Sequence, residues 1–357
     1  MKRSIRFRAA CALAPTFLAT LSASAQPGQA VGWGVDGGLG ETMPPPGFAY
    51  IAVAGNDSHS YAIRADGTLV GFGWNGLGAL NVPTGTFKAV SAGYPGHGLA
   101  IRKDGTLAGW GYNSAGQANP PPGQFIAVSA GSYYGLGIRS DGVLVKWGGA
   151  VAPPQGTFKA VSAGHRIAAA IRTDGTIVVW GELSFATIPP PSGQFVNVSI
   201  LNWHALALKS DGTVIAWGTP KTSVNGELDV PPGRYVAIAA GNGTSAAIRD
   251  DGQLVTWGNP FGGWTQPPAG RFAVLAAGWQ YGLAIRACPA NCDLSTALPA
   301  TNVNDFICFL NRFSVAGALS PAEQQADYAN CDGSTIPPIL NINDFICFID
   351  RYAVGCP

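Results

Sequence analysis

The stretch FKAVSAGYPGHGLAIRKDGTLAGWG, residues 87–111, decides the fold. It runs from Phe87 through small residues to Gly93, then Leu99-Ala-Ile-Arg102, Asp104-Gly105 and Trp110-Gly111. Each part recurs along the chain. The Asp-Gly step returns at Asp66, Asp104, Asp141, Asp174, Asp211 and Asp251, and the aromatic-Gly step at Phe72, Trp110, Trp147, Trp180, Trp217 and Trp257. Successive copies follow at nearly even intervals, shortest from Asp141 to Asp174 and longest from Asp211 to Asp251. Each is preceded by a Pro-rich, Gly-ended segment such as Pro120-Pro-Pro-Gly123. The physical reading is direct. Leu-Ala-Ile-Arg is a short strand, and Asp-Gly supplies the positive backbone angles of a tight hairpin turn. The strand ending in Trp-Gly returns with alternating burial. Val-Ser-Ala-Gly is a third strand, whose small side chains suit a crowded place where strands converge. The prolines cannot join a central ladder and belong in connections. Repeated antiparallel sheets at such intervals predict a β-propeller.

The ends of the repeat predict how the ring closes. The seventh copy starts at Phe272, reaches Leu283-Ala-Ile-Arg286 and stops without its Asp-Gly turn and Trp-Gly strand. The missing strand sits at the other end of the chain, as Ala30-Val-Gly-Trp33-Gly34, with Trp33 one repeat interval ahead of Phe72. Pairing the two ends would remove exposed sheet edges and close seven blades.

Composition bounds the rest. Of 357 residues, 47% are apolar and only 11% charged, which excludes a highly charged disordered chain. The 49 glycines and 27 prolines point to turns without a collagen period. A net charge of +1 gives no sign of a nucleic-acid partner. Residues 1–8 carry +4 and residues 287–357 carry −5, so the body is near neutral. Residues 1–25 read as a signal peptide, with a basic start, an apolar stretch from Ala9 to Leu21, and Ala23-Ser24-Ala25 before Gln26. That stretch is too short to span a membrane, and no later segment offers a transmembrane helix. The expectation is a secreted, extracellular or cell-surface protein. The mature chain then keeps Cys288, Cys292, Cys308, Cys331, Cys347 and Cys356, all in one small segment. In an exported chain they are disulfide candidates, with 15 possible pairings. Zinc is the alternative, but close cysteine pairs are missing apart from Cys288 and Cys292.

Copy two also carries a resemblance. Val90, Ala92-Gly93, His97, Leu99-Ala-Ile101, Asp104-Gly105, Trp110-Gly111, Asn113 and Gly116-Gln117 look like the regulator of chromosome condensation repeat. The resemblance covers about 255 residues and implies a seven-bladed β-propeller over 26–286. The founder of that family is a nucleotide exchange factor on chromatin, a role in the wrong compartment for an exported chain. Bacterial relatives include a secreted β-lactamase inhibitor that acts by protein binding. Fold likeness does not choose between such roles.

Residues 287–357 hold a different duplication with a period of 39. Asn291, Asp293, Ser295, Asn302 and Asp305 return as Asn330, Asp332, Ser334, Asn341 and Asp344. Oxygen-bearing side chains ahead of an amphipathic helix suit Ca²⁺. Phe306, Phe309, Leu310 and Phe313 lie at helical spacing, and Phe345, Phe348, Ile349 and Tyr352 repeat that face. The unit resembles a cysteine-rich dockerin ending in Gly355-Cys356. The resemblance implies a small α-helical domain, two Ca²⁺ ions held by those ten residues, and docking to a cohesin-like or other surface receptor. Each loop spans 15 positions where the EF-hand pattern has 12, which leaves its middle ligands open. Asp305 and Asp344 could instead be helix caps.

Little in the propeller reads as catalytic. Of His59, His97, His165 and His204, three fall at or near one repeat position and read as packing residues; the repeated Asp residues read as turn formers. Glu182 and Glu227 stand outside the repeat pattern. The loop after each small-residue strand varies, and as blade loops all seven would share one face. Tyr94, Tyr133, Tyr134, Trp203, Trp279 and Tyr281 would ring that face and suit a protein or carbohydrate contact. Packing of those rings between blades is the competing reading. The expectation is a monomeric, non-enzymatic binding protein with a Ca²⁺-dependent anchor. A carbohydrate-active enzyme, needing two facing carboxylates in the channel, and an inhibitor of a secreted enzyme are the rivals.

Overall fold

A computed structural model describes residues 27–149, 152–181, 189–218 and 226–287. Strands come in threes, paired antiparallel in chain order, into seven separate sheets. Blades one to seven begin with the strands Tyr50–Gly55, Phe87–Gly93, Phe125–Ala130, Phe158–Ala163, Asn197–Ile200, Tyr235–Ala240 and Phe272–Ala277. Each of these first strands neighbours the first strand of the next blade, and the seventh neighbours the first. They therefore form the inner wall of a closed ring, which is why they are built from Ala, Ser and Gly. In blade seven the middle strand Tyr281–Arg286 pairs with Ala30–Gly34, in register from Ala30 opposite Ile285 to Gly34 opposite Tyr281. The N-terminal strand supplies the last strand of the last blade, as its repeat phase predicts.

The core is divided among the seams. Seven buried clusters each straddle two neighbouring blades. Between blades one and two, Tyr61, Ile63 and Leu69 pack on Phe87, Ala100 and Trp110. Between blades six and seven, Ile248 and Leu254 pack on Trp33, Trp264 and Phe272. A single blade is too thin to bury its own faces, so apolar burial is obtained only by ring assembly.

Polar groups repeat with the same regularity. The inner-strand hydroxyls of Ser91, Ser129, Ser162 and Ser199 accept the backbone N–H of Ala130, Ala163, Ile200 and Ala240 in the following blade, at 2.9–3.1 Å. The indole N–H of Trp110, Trp147, Trp257 and Trp33 donates to the carbonyl of Ala79, Gln117, Glu227 and Trp264, in the connector entering each blade. Asn75 and Asn113 fix two of those connectors by accepting the N–H of Leu80 and Ala118.

Two expectations change in detail. The Asp-Gly turn has positive φ only at glycine, for instance 91° at Gly105, and not at aspartate. Gly105 N–H donates to the Arg102 carbonyl, so the turn is a four-residue one that ends in a left-handed glycine. Asp104 serves by accepting the Thr106 N–H at 2.9 Å, and the other five aspartates repeat that contact. Glu227 stands inside the repeat pattern: Gly226-Glu227 takes the place of Gly116-Gln117, and both carbonyls receive a Trp indole. The signal peptide, the tail with its ten Ca²⁺ ligands and six cysteines, and Glu182 lie outside the described residues.

Candidate functional site

The varied loops do share one face, and they are tied into a belt. Trp279 N–H donates to the Asn56 carbonyl at 2.7 Å, and Asn56 Nδ2 to the Ala92 carbonyl at 3.0 Å. Tyr133 N–H donates to the Tyr94 carbonyl at 3.0 Å, and Ser132 Oγ shares a 2.6 Å hydrogen bond with His165 Nδ1. Asn202 Nδ2 donates to Asn242 Oδ1 at 3.0 Å, and Asn242 N–H to the Trp279 carbonyl at 3.1 Å. Asn56, Tyr94, Ser132, His165, Leu201 and Trp279, from six blades, surround a void of only about 10 Å³. That is about one water at most, so the loops plug this mouth of the ring.

A larger cleft opens beside the plug, with a volume of about 480 Å³. Its walls come from Tyr94 of blade two, Ser132, Tyr133 and Tyr134 of blade three, and His165, Arg166 and Trp180 of blade four. Tyr94 meets Tyr133 edge-on at 6.0 Å between ring centres, and meets His165 at 5.9 Å. Tyr112 extends the wall, 6.0 Å from Tyr133. Burial, and then the charge of Arg166, hold the His165 imidazolium below its ordinary value, so the ring is neutral at pH 7.

The cleft coincides with an irregularity in the sequence. The step from the blade aromatic to the next strand's aromatic is the same for Phe72 to Phe87, Trp110 to Phe125, Trp180 to Phe195 and Trp257 to Phe272, but four positions shorter for Trp147 to Phe158. That shorter step leads into blade four. Trp110, Trp147 and Trp257 are buried under their connectors, whereas Trp180 is only partly buried. Among the described residues Trp180 Nε1 has no hydrogen-bond partner.

The six aromatic candidates divide. Tyr94, Tyr133 and Tyr134 come together at the cleft, although Tyr134 is 5% exposed and spends its hydroxyl on the Gly164 and Ile167 carbonyls at 3.0 and 2.8 Å. Tyr281 is 1% exposed and bonds the His59 carbonyl at 2.9 Å, so it is an inter-blade packing residue and not part of the face. Trp279 lies at the plugged mouth, and Trp203 stands apart on the surface at 39% exposure. His165, read from the sequence as a packing residue, instead lines the cleft, and Ser132 and Trp180 were not singled out. The shortest repeat interval, from Asp141 to Asp174, is the signal that could have found them. His59, His97 and His204 are fully buried, and burial pushes each imidazole down to about 4. They are core histidines, as their repeat position suggests. No residue lining either cavity is an aspartate or glutamate, so among the described residues this face lacks a glycosidase carboxylate pair.

Residues 87–117 and 235–263 match the family described as Regulator of chromosome condensation (RCC1) repeat. Among solved structures, Prp20p of Saccharomyces cerevisiae, described with its binding to Gsp1p and histones, superposes with TM-score 0.61 at 14% identity, covering 74% of this chain and 93% of that one. Human WBSCR16 gives TM-score 0.60 at 14% identity, over 73% of this chain and 99% of that one. The ectodomain of the Arabidopsis thaliana receptor kinase ACR4 gives 0.53 at 20%, over 64% and 89%. A comparison with curated protein sequences gives no match. The chain thus carries RCC1-type repeats folded as an RCC1-like β-propeller. Among the described residues no helix is long and apolar enough to cross a membrane.

Proposed function

We propose that this is a secreted, non-enzymatic binding protein. Its propeller recognises a partner through the loop face, and its dockerin-like tail binds Ca²⁺ and anchors it to a surface or assembly. The observation that carries the recognition half is the belt of hydrogen-bonded loops. It fixes exposed aromatic rings on a rigid frame, and a pre-organised surface loses little entropy on binding. The binding of Gsp1p and histones by Prp20p supports a protein-binding role for this fold. The anchoring half rests on the duplicated Asn/Asp loops, with Ca²⁺ held by Asn291, Asp293, Ser295, Asn302 and Asp305 and by their counterparts from Asn330 to Asp344.

The test uses the whole mature chain, oxidised and stripped with a chelator. Calorimetric titration should show two Ca²⁺ sites, one lost in Asp305→Ala and one in Asp344→Ala. Absence of binding at millimolar Ca²⁺ would make the tail a disulfide-stapled cap and remove the anchoring half. The recognition half is read separately, as binding of the labelled chain to envelope material of its source cells. Tyr94→Ala with Trp203→Ala should weaken it, and equal binding by that double variant would refute the loop face.

A further inference from the structure

We infer that the cleft between blades three and four binds a neutral pyranose unit, with its rings against the sugar's C–H face and Ser132 and His165 at its hydroxyl edge. This deepens the recognition reading and rests on it. Three observations carry it. First, the cleft lies at the seam whose connector is at least four residues shorter than any of its counterparts, so it is particular to this seam and not a by-product of the repeat. Its volume of about 480 Å³ lies within the ~300–1,000 Å³ of small-molecule sites.

Second, the lining is amphipathic in the way a sugar is. Tyr94, Tyr133, Tyr134 and Trp180 give aromatic surface, while the Ser132–His165 pair gives hydrogen-bonding capacity within it. An apolar side chain in this cleft would desolvate the second imidazole nitrogen of His165 without offering it a partner. A sugar hydroxyl offers one. Among the described residues the lining holds no carboxylate, and Arg166 is its one charged residue. An uncharged ligand therefore suits it better than a polyanion or a cation.

Third, the walls are held in a costly conformation. Tyr133 has φ 63° and Arg166 φ 64°, where blade six places Gly243 at φ 67°. Each costs about 1–2 kcal/mol in an L-residue. The backbone of Tyr133 is fixed on both sides, its N–H on the Tyr94 carbonyl and its carbonyl on the Gly149 N–H at 2.9 Å. A large side chain kept at a left-handed φ beside a cleft, where Trp203 and Gln280 in the matching loops avoid it, marks a surface whose shape is used.

Saturation-transfer NMR on the full chain tests this. The probes are glucose, galactose, mannose, xylose, N-acetylglucosamine and N-acetylgalactosamine, with their homo-disaccharides, each up to about 50 mM, well above a ~1 mM dissociation constant. Saturable transfer to the C–H protons of at least one probe is expected. It should fall at least about tenfold, some 1.4 kcal/mol, in Tyr94→Ala and in Ser132→Ala, and stay unchanged in Trp203→Ala. Lengthening the connector after Gly149 by four residues should abolish it without unfolding the protein. No transfer from any neutral probe, or equal transfer to the cleft variants, would overturn the proposal; so would transfer from glucuronate or galacturonate alone. If the sugars fail while Tyr94→Ala with Trp203→Ala still weakens envelope binding, the recognition reading survives with a protein partner. If both fail, the recognition reading falls as well.

Discussion

Replacing Trp33 with alanine tests the ring closure most directly. Trp33 sits on the strand Ala30–Gly34, far in sequence from the Trp264 and Gly282 it packs on. Its indole lies on Gly282, where an added Cβ would meet the ring at 2.1 Å, and packs on Trp264 with 5.5 Å between ring centres. Its N–H donates to the Trp264 carbonyl at 3.2 Å, and only 7% of the residue is exposed. Truncating a buried Trp costs about 3–5 kcal/mol. The stranded Trp264 carbonyl adds about 1 kcal/mol. Roughly 4–6 kcal/mol is then lost from a total of about 5–15. At roughly 2–4 °C per kcal/mol, the thermal midpoint should fall by about 8–24 °C. Trp33→Phe keeps most of the ring and loses the hydrogen bond, so its drop should be only a few degrees. Far-ultraviolet circular dichroism of the full chain reads both, with Leu39→Ala, at 46% exposure, as the control. A Trp33→Ala midpoint within about 2 °C of that control would mean that the strand does not close the ring, and the closure argument would fail.

Three further outcomes follow from the same contacts. His59, His97 and His204 are pushed from 6.5 to about 4 in the folded state, so between those values the unfolded chain binds more protons. Stability should therefore be flat above pH 6.5 and fall as pH drops toward 4, by up to about 3 kcal/mol per histidine; an unchanged urea midpoint from pH 7 to 4.5 would contradict this. Ser129→Ala leaves the Ala163 N–H without its 2.9 Å acceptor and should cost about 1 kcal/mol by urea denaturation, while Ser140→Ala at the exposed turn should cost nothing measurable. Tyr134→Phe strands the Gly164 carbonyl, while the Ile167 carbonyl keeps the Gly164 N–H, and should destabilise by about 1 kcal/mol, whereas Tyr94→Phe should not shift the melting temperature by more than about 1 °C.

The repeat was legible because each element has a local cause. Asp104-Gly105 makes its own turn, and the small residues of Phe87–Gly93 need only a crowded inner wall. Even the closure could be read, since Trp33 keeps phase with Phe72 across the Pro-rich segment between them. The face was legible only in part. Tyr281 opens the strand Tyr281–Arg286, at the repeat position that His59, His97 and His204 hold in other blades, and is buried as they are. Tyr94 lies in the loop before His97 and lines the cleft. One belongs to the strand pattern and the other to a loop, a distinction that a list of loop aromatics misses.

By itself, then, the sequence determined the number of blades, their strand order and the strand that closes the ring. These follow from periodicity, turn chemistry and the need to bury sheet edges, all of which act over short stretches. Only the tertiary structure decided that Ser132, His165 and Trp180 share a cleft. They lie on different strands and loops of blades three and four, and only ring closure sets those blades side by side. Curling the chain into a ring brings seven loops to one face, and the cleft opens at the seam that the shortest connector enters.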